Sequence, residues 1–216
     1  MAPKLYTTDL SPSARSVLLT AKAIQLELDL KNVSIGDGEN LTPEYLKMNP
    51  QHTVPTLDDN GYYLWDSHAI NIHLVTKYAK NDSLYPKDEQ KKGIINQRLF
   101  FSASVFETAV SNIFKPIFND GMRTIPQDKA DVIRGVYDFL EKFLEGHDFI
   151  AGDSLTIADF SIVSSLSFLE PFVSLTQIRN PLLLSWFQRM QDLPYYVEAN
   201  KIGSDRLVKC VQEKLA

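Results

Sequence analysis

The sequence predicts an α/β half followed by an all-helical half, and three observations support this division of the 216 residues. Short apolar segments with strand character alternate with helical segments as far as Tyr78. Residues 81–88 are polar, contain a proline and are typical of a linker. The apolar patterns that follow have helical spacing. We therefore predict an α/β domain at residues 1–80, the linker at 81–88 and a helical domain at 89–216.

The first half is predicted to contain four strands and three helices. Pro12 and Pro43 each stand in the first turn of a helix, and the turn at 59–61, Asp-Asn-Gly, predicts a hairpin. The β-α-β-α-β-β-α order is that of a thioredoxin-like domain. The predicted elements are a strand at 4–8, a helix at 12–27, a strand at 29–35, a short helix from Thr42, strands at 56–58 and 62–65, and a helix at 67–78.

The second half is predicted to contain only helices. The first spans residues 89–120, with Pro116 bending its last turn and Gly121 ending it. Thr156 can cap the amide of Asp159 while Asp159 returns a hydrogen bond, so this pair predicts a helix start and a structural role. Further helices are predicted at 126–145, 181–193 and 204–215.

Composition and charge argue against several classes of protein. The net charge of −5 disfavours nucleic acid or an anionic membrane as a partner. No apolar run approaches the length of a membrane span, and no apolar signal core follows the N-terminus. The single cysteine, Cys210, excludes an internal disulfide and a two-cysteine redox motif. We therefore expect a cytoplasmic protein.

The segment around Val54-Pro55 is the strongest indication of a binding site. A proline at the start of a strand gives up a ladder hydrogen bond, and a cis peptide there would turn the Val54 backbone outward to pair with an extended peptide. Asp66-Ser67 then opens a helix whose positive end favours an anion. Backbone pairing beside such a helix end suits a small, charged peptide.

Five motifs in register carry a resemblance to a known family. With the Val-Pro strand entry, the Asp-Ser helix start and the Thr-x-x-Asp signal, the chain resembles the cytosolic glutathione S-transferases over essentially its whole length. Its details are similar to the insect Epsilon class, with the Delta class second. The motifs are Asn-Pro-Gln-His-Thr-Val-Pro at 49–55, Asp-Asp-Asn-Gly at 58–61, Ser-His-Ala-Ile at 67–70, Val-Thr-Lys-Tyr at 75–78 and Ser-Leu-Tyr-Pro-Lys-Asp at 83–88.

In that family the nucleophile is the thiolate of glutathione, and the resemblance implies that Ser11, directly before the first helix, stabilises it. Lowering a thiol pKa from about 8.5 by roughly two units requires about 2.7 kcal/mol. A hydrogen bond to a charged group supplies about 1.5–3 kcal/mol and a helix end about 0.3–1 kcal/mol, so neither a metal nor a base is needed. Two alternatives stay open: Ser11 only caps the helix, or Tyr6 of the first strand contacts the sulfur.

The resemblance also implies how glutathione is bound. The Val54 backbone would pair with the cysteinyl part, while Ser67 would hold the γ-glutamyl carboxylate and Asp66 the ammonium. His52 would approach the glycyl carboxylate, and Asn40 stands where relatives often have a second histidine. For His68, packing on the helix or exposure to solvent is the competing interpretation. The complete predicted set is Asn40, His52, Thr53, Val54, Pro55, Asp66, Ser67 and His68.

The second substrate is expected in a hydrophobic pocket between the long helix and the C-terminal helix. Apolar residues spaced by four, from Phe106 to Phe118, can form its aromatic wall or belong to the core. Glu107 and Ser111 stand where relatives commonly carry an aromatic residue and an arginine, so a carboxylate facing this pocket would disfavour anionic electrophiles. The predicted set is Leu10, Phe106, Glu107, Ser111, Phe114, Phe118 and Leu207.

We therefore expect an enzyme that adds the sulfur of glutathione to hydrophobic electrophiles in detoxification, and whose thiolate can also serve dehydrochlorination or peroxide reduction. The resemblance implies a homodimer that uses the hairpin, the helix at 67–78 and the long helix. One alternative is a non-catalytic carrier of hydrophobic ligands, which would tend to lack the hydroxyl of Ser11. The other is a glutaredoxin-like disulfide reductase, which would need a cysteine at that position.

Overall fold

The computed structural model describes residues 2–216, and its first half is built on a four-stranded mixed sheet. Strand β1 (Lys4–Thr7) runs parallel to β2 (Asp29–Asn32) and antiparallel to β3 (Thr56–Asp59). Strand β4 (Tyr62–Trp65) forms a hairpin with β3, so the order across the sheet is β2-β1-β3-β4. The predicted thioredoxin-like topology is confirmed. The accompanying helices are α1 (Pro12–Ala23), α2 (Pro43–Met48, after a 3₁₀ turn at Glu39–Leu41) and α3 (Ser67–Tyr78).

Helix α1 ends four residues earlier than the predicted boundary at residue 27. Gln25 adopts a left-handed conformation with φ of +59°. The amide of Leu26 donates to the Ala21 carbonyl and that of Gln25 to the Lys22 carbonyl, which is a Schellman arrangement. Because such an end usually has glycine at this position, the glutamine gave no signal in the sequence.

The second half is helical, as predicted, but its first helix is not uniform. The predicted helix at 89–120 consists of α4, a π-helical stretch and α5, and a second π-helical stretch extends the C-terminal helix back to residue 197 from the predicted start at 204. The bounds are α4 Glu89–Phe101, the π stretch Ser102–Phe106, α5 Glu107–Asn119, α6 Gln127–Phe143, α7 Ile157–Leu169, α8 Pro181–Gln191, the π stretch Val197–Lys201 and α9 Ile202–Leu215.

Helix α7 is the centre of the helical half, because twelve of its thirteen residues are buried. The capping box at its start is present as predicted: Thr156 caps the helix, and Asp159 accepts from the Thr156 amide at 2.8 Å. The fully buried Asp159 also accepts from the Ile150 amide and from the Trp186 indole, each at 2.9 Å. The motif thus fastens three segments of the helical half together, which is the structural role expected.

Arg15 of α1 connects the two halves of the molecule. Its guanidinium is buried and donates to the Asn200 side chain at 2.9 Å and to the Ser164 carbonyl at 2.9 Å, both in the helical half. It also donates to the carbonyls of Asp9 and Leu10, at 3.0 and 3.1 Å. The loop before α1 is therefore held by a side chain that is anchored in the other half.

Within residues 2–216, none of the helices combines the length and the apolar character that crossing a membrane requires.

Candidate functional site

A cavity of about 280 Å³ opens between the start of α3, the segment before β3 and the junction of α4 with α5. It brings together residues that are far apart in the chain. Six of the residues predicted to bind glutathione line it: Thr53, Val54, Pro55, Asp66, Ser67 and His68. Its other lining residues are Ser13, Gln51, Trp65, Ala103 and Glu107.

Hydrogen bonds fix the backbone just before Val54, while the amide and carbonyl of Val54 itself are unpaired among the described residues. The carbonyl of Thr53 accepts from the Tyr45 hydroxyl at 2.7 Å, the Asn49 amide at 3.0 Å and the Thr56 hydroxyl at 3.0 Å. The Val54–Pro55 peptide is cis. Among residues 2–216, the amide and carbonyl of Val54 have no hydrogen-bond partner. An extended peptide in the cavity can therefore pair with them.

The start of α3 leaves one amide free for an anion. Asp66 is held at a φ of +72°, and its Oδ1 accepts from the amides of His68 at 2.9 Å and Ala69 at 3.2 Å. The hydrogen bond from His68, followed by those from the two amides, keeps the pKa of Asp66 below its usual range. Among residues 2–216, the amide and hydroxyl of Ser67 find no partner. They remain for a carboxylate at the positive helix end.

Ser11 caps α1, and its Oγ accepts from the Ala14 amide at 3.2 Å. That bond uses an oxygen lone pair and leaves the hydroxyl proton free to donate. Ser11 itself does not line the cavity, whereas Ser13 does, so the structure introduces a second candidate hydroxyl. The other alternative, Tyr6, packs edge-on against the Tyr45 ring with 5.9 Å between centroids and is also outside the lining.

Arg15 adds a positive charge close to Ser11. Burial lowers its pKa to about 10, so the guanidinium remains charged at neutral pH. Its hydrogen bonds go to carbonyl and amide oxygens, not to carboxylates. The charge therefore stays largely uncompensated by direct contact, and it favours an anion beside the first turn of α1.

Asn40 and His52 lie outside the cavity lining. Asn40 is buried, and its side-chain amide donates to the His52 carbonyl at 2.7 Å. His52 is exposed, with a φ of +48°. The Asn40 side-chain amide, which was predicted to bind the ligand, thus forms a hydrogen bond within the protein and fixes the conformation of the loop that carries His52.

His68 contacts both the helix start and the cavity. Its Nδ1 lies 3.3 Å from Asp66 Oδ1, and its buried Nε2 has no partner within residues 2–216. His68 therefore lines the cavity and also contacts the start of its own helix, and its part in glutathione binding stays a prediction.

The predicted aromatic wall does not form one face. Phe106 is fully buried in the helical core, and Phe114 packs edge-on against Phe168 and Phe172 with centroids 4.7 and 5.6 Å apart. Phe118, in contrast, is 40% exposed. An α-helix advances by 100° per residue, so a spacing of four drifts by about 40° each time. Over three repeats the row therefore turns from the core to the surface.

The other residues predicted for the second substrate are divided between two places. Leu10 and Ser111 are half-buried, and Leu207 of α9 is buried against the core. An ion pair between Arg206 and Asp9 joins α9 to the loop before α1. Glu107 lines the cavity described above, together with Ser67 and His68.

Sequence analysis missed Ser13, Gln51, Trp65 and Ala103 in the cavity. The Trp65 indole donates to the Gln51 side chain at 2.7 Å, and both residues line the cavity. The two residues are fourteen positions apart and meet only because the hairpin folds back. Ser13 was not proposed because Ser11, which stands directly before the first helix, was already the candidate hydroxyl.

Comparison with known proteins agrees with this geometry. Residues 1–76 match the model for the glutathione S-transferase N-terminal domain, and residues 103–194 match that for the C-terminal domain. An Epsilon-class glutathione S-transferase from the housefly, Musca domestica, is 47% identical with a TM-score of 0.96, and 98% of each chain is covered. A glutathione transferase homologue from Drosophila mojavensis, solved with bound glutathione, is 44% identical with a TM-score of 0.94, covering 98% of this chain and 97% of that one.

A Delta-class glutathione transferase from Nilaparvata lugens is 38% identical, with a TM-score of 0.92 and coverage of 98% of this chain and 99% of that one. The fold and these matches define a two-domain transferase, and the chain belongs to the glutathione S-transferase family. The resemblance to the Epsilon class, with the Delta class also related, is confirmed.

Proposed function

We propose that this protein transfers reduced glutathione to hydrophobic electrophiles in the cytoplasm, in a detoxifying role, and that Ser11 stabilises the glutathione thiolate. The observation that carries the proposal is the unpaired backbone of Val54 in one cavity with the free amide of Ser67. Those two groups suit the peptide and the γ-glutamyl carboxylate of glutathione. A relative with the same fold and 44% identity binds that ligand.

In this proposal the thiol loses its proton because three groups favour the anion. The Ser11 hydroxyl donates to sulfur, the first turn of α1 presents its positive end, and the buried Arg15 adds a full charge nearby. No side chain has to act as a base, since solvent can take the proton. The thiolate then attacks an electrophilic carbon and forms a carbon–sulfur bond. With an aromatic chloride the carbon–chlorine bond breaks and chloride leaves, whereas with an activated double bond the π bond opens and the product takes a proton from solvent. In dehydrochlorination the same thiolate would remove a proton as chloride leaves, and in peroxide reduction two molecules of glutathione would be oxidised to the disulfide while the peroxide is reduced to alcohol and water.

The apolar electrophile is proposed to lie near Leu10, Ser111, Phe118 and Leu207. These residues come from the loop before α1 and from α5 and α9, and Phe118 is accessible. Phe106 and Phe114 are assigned to the core instead, because neither exposes more than 6% of its surface.

The experiment compares Ser11→Ala with Ser13→Ala, using conjugation of glutathione to an aromatic chloride. Ser11→Ala is expected to lower kcat/KM by about tenfold or more, which corresponds to about 1.4 kcal/mol. Ser13→Ala is expected to change mainly the KM for glutathione. If Ser11→Ala retained full activity and Ser13→Ala lost it, we would conclude that Ser13, and not Ser11, donates the hydrogen bond to the thiolate.

The alternative of a non-catalytic carrier makes a different prediction. A carrier would bind glutathione or hydrophobic ligands but would show no conjugation with any electrophile in a panel. Neither serine substitution would then alter a conjugation rate, and Ser11→Ala would act only through the loss of the α1 cap.

A further inference from the structure

Glu107 is a carboxylate of the helical half that lines the proposed glutathione cavity. It is the first residue of α5, directly after the π-helical stretch, and the cavity wall also includes Asp66, Ser67 and His68 from the start of α3. Sequence analysis assigned Glu107 to the electrophile. The structure instead puts it beside the residues that the proposed function assigns to the γ-glutamyl end of glutathione.

One hydrogen bond fixes the Glu107 carboxylate in place, and only one of its two oxygens has a donor. The Ser165 hydroxyl of α7 donates to its Oε1 at 2.5 Å. Within residues 2–216 it forms no ion pair, and Oε2 has no hydrogen-bond donor. Burial raises the pKa of this carboxyl, while the Ser165 hydrogen bond and the charges of His68 and Arg15 oppose that effect. A half-buried carboxylate with one free oxygen is a good site for a cation.

Asp66 has one carboxylate oxygen, Oδ2, left to accept from an ammonium group. Its Oδ1 already accepts two backbone amides and lies next to His68 Nδ1, and more than half of its side chain is exposed to solvent. Glutathione carries a single cation, the γ-glutamyl ammonium. The γ-glutamyl carboxylate is bonded to the same carbon as this ammonium, and that carboxylate is the group proposed to bind at Ser67. A cation beside that carboxylate therefore lies in the part of the cavity that Glu107 borders.

We propose that Glu107 binds the γ-glutamyl ammonium of glutathione from the helical half, together with Asp66 from the thioredoxin-like half. This inference rests on the proposed function, because it names a further residue that recognises the same substrate. It also assigns a function to the α4–α5 junction, since the π-helical stretch leads directly to the residue that meets the ligand.

The test is a cycle of binding measurements by titration calorimetry on the whole protein. The two probes are glutathione and its des-amino analogue, in which hydrogen replaces the γ-glutamyl amino group. The variants are Glu107→Gln, which keeps the shape and removes the charge, and Ser165→Ala, which keeps the charge and releases Oε1. Glu89→Gln on α4 is the matched control, because Glu89 is exposed and remote from the cavity.

Glu107→Gln is expected to weaken glutathione binding by about tenfold and to leave binding of the des-amino analogue unchanged. Ser165→Ala should give a smaller loss with the same selectivity, and Glu89→Gln should give none. Thermal melting confirms that each variant is folded.

An equal effect of Glu107→Gln on both probes, or no effect on either, would overturn the assignment of Glu107. In that case the parent protein would still bind glutathione, and the proposed function would stand. If the parent protein bound no glutathione, the proposed function and this inference would both be wrong.

Discussion

At the scale of single residues, the conformation of the cavity depends on side chains that do not line it. The carbonyl of Thr53 receives three hydrogen bonds, and Asn40 fixes the loop of His52 in the same way. These hydrogen bonds keep the cavity backbone in one conformation before a ligand binds. The loss of backbone conformational entropy on binding is therefore smaller.

Local sequence signals predicted the residues whose roles are set by their immediate neighbours. Val54-Pro55 and Asp66-Ser67 were recognisable because a strand entry and a helix start each have a short signature. Gln51, Trp65 and Glu107 were missed or assigned to another place because their contacts are set by chain folding over longer distances. Glu107, for example, meets Ser165, which is 58 positions away.

Asp159 offers a direct test at this scale. Its carboxylate accepts four hydrogen bonds from Ile150, Trp186 and the amide and hydroxyl of Thr156, all of them buried. Asp159→Ala leaves these donors without an acceptor and is expected to cost about 3–5 kcal/mol of unfolding free energy. Denaturant unfolding measures this. Asp159→Asn should lose less, because one acceptor oxygen remains, and a cost under about 1 kcal/mol for alanine would contradict the account.

At the scale of elements, helix periodicity predicted the type of each element better than its interior or its ends. The apolar pattern at 89–120 indicated a helix, and it is helical throughout residues 89–119. Its π-helical stretch was not predictable, because one widened turn leaves the composition unchanged and depends on packing against neighbours. The Gln25 end of α1 was missed for a similar reason, since the usual glycine is absent.

Gly203 of α9 lies directly against the loop before α1. A Cβ at this position would lie 2.2 Å from the Asp9 carbonyl oxygen and 3.0 Å from Arg15 Cδ, so only glycine fits without movement. Gly203→Ala is therefore expected to cost about 1–3 kcal/mol and to lower activity by displacing the loop next to Ser11.

The control for this substitution is Gly135→Ala in the middle of α6, where a Cβ would meet no atom within 4 Å. Because alanine is a better helix former, this change should stabilise the protein by up to about 1 kcal/mol. A melting temperature for Gly203→Ala as high as that of the control would show that the close approach is not required.

At the scale of the whole molecule, the sequence predicted two differently built halves, and the fold shows both. The way they meet was not predictable. The fully buried Arg15 has no apolar signature in the sequence, yet it joins α1, α7 and the π-helical stretch before α9. Apolar periodicity predicts buried apolar residues only, so it gives no indication that a charged residue such as Arg15 is buried.

The proposed homodimer also belongs to this scale. The elements that the family resemblance implies for the interface expose large apolar side chains, among them Tyr62, which is 53% exposed, and Phe100, which is 73% exposed. Phe100→Glu would put a charge into that interface, so sedimentation should show a shift from dimer towards monomer. Phe139→Glu on α6, where the side chain is 53% exposed, is the matched control. Equal sedimentation of both variants as dimers would exclude α4 from the interface.

The ionisation of bound glutathione tests the central claim most directly. The sulfur should lose its proton at a pH about two units below the value near 8.5 that is typical of a free thiol. A spectroscopic titration of the complex between the parent protein and glutathione follows the thiolate absorbance, and Ser11→Ala provides the comparison. The account predicts a lowered thiol pKa in the parent complex that moves back towards the free value in Ser11→Ala. A thiol that titrates in the parent complex as it does in buffer would contradict it.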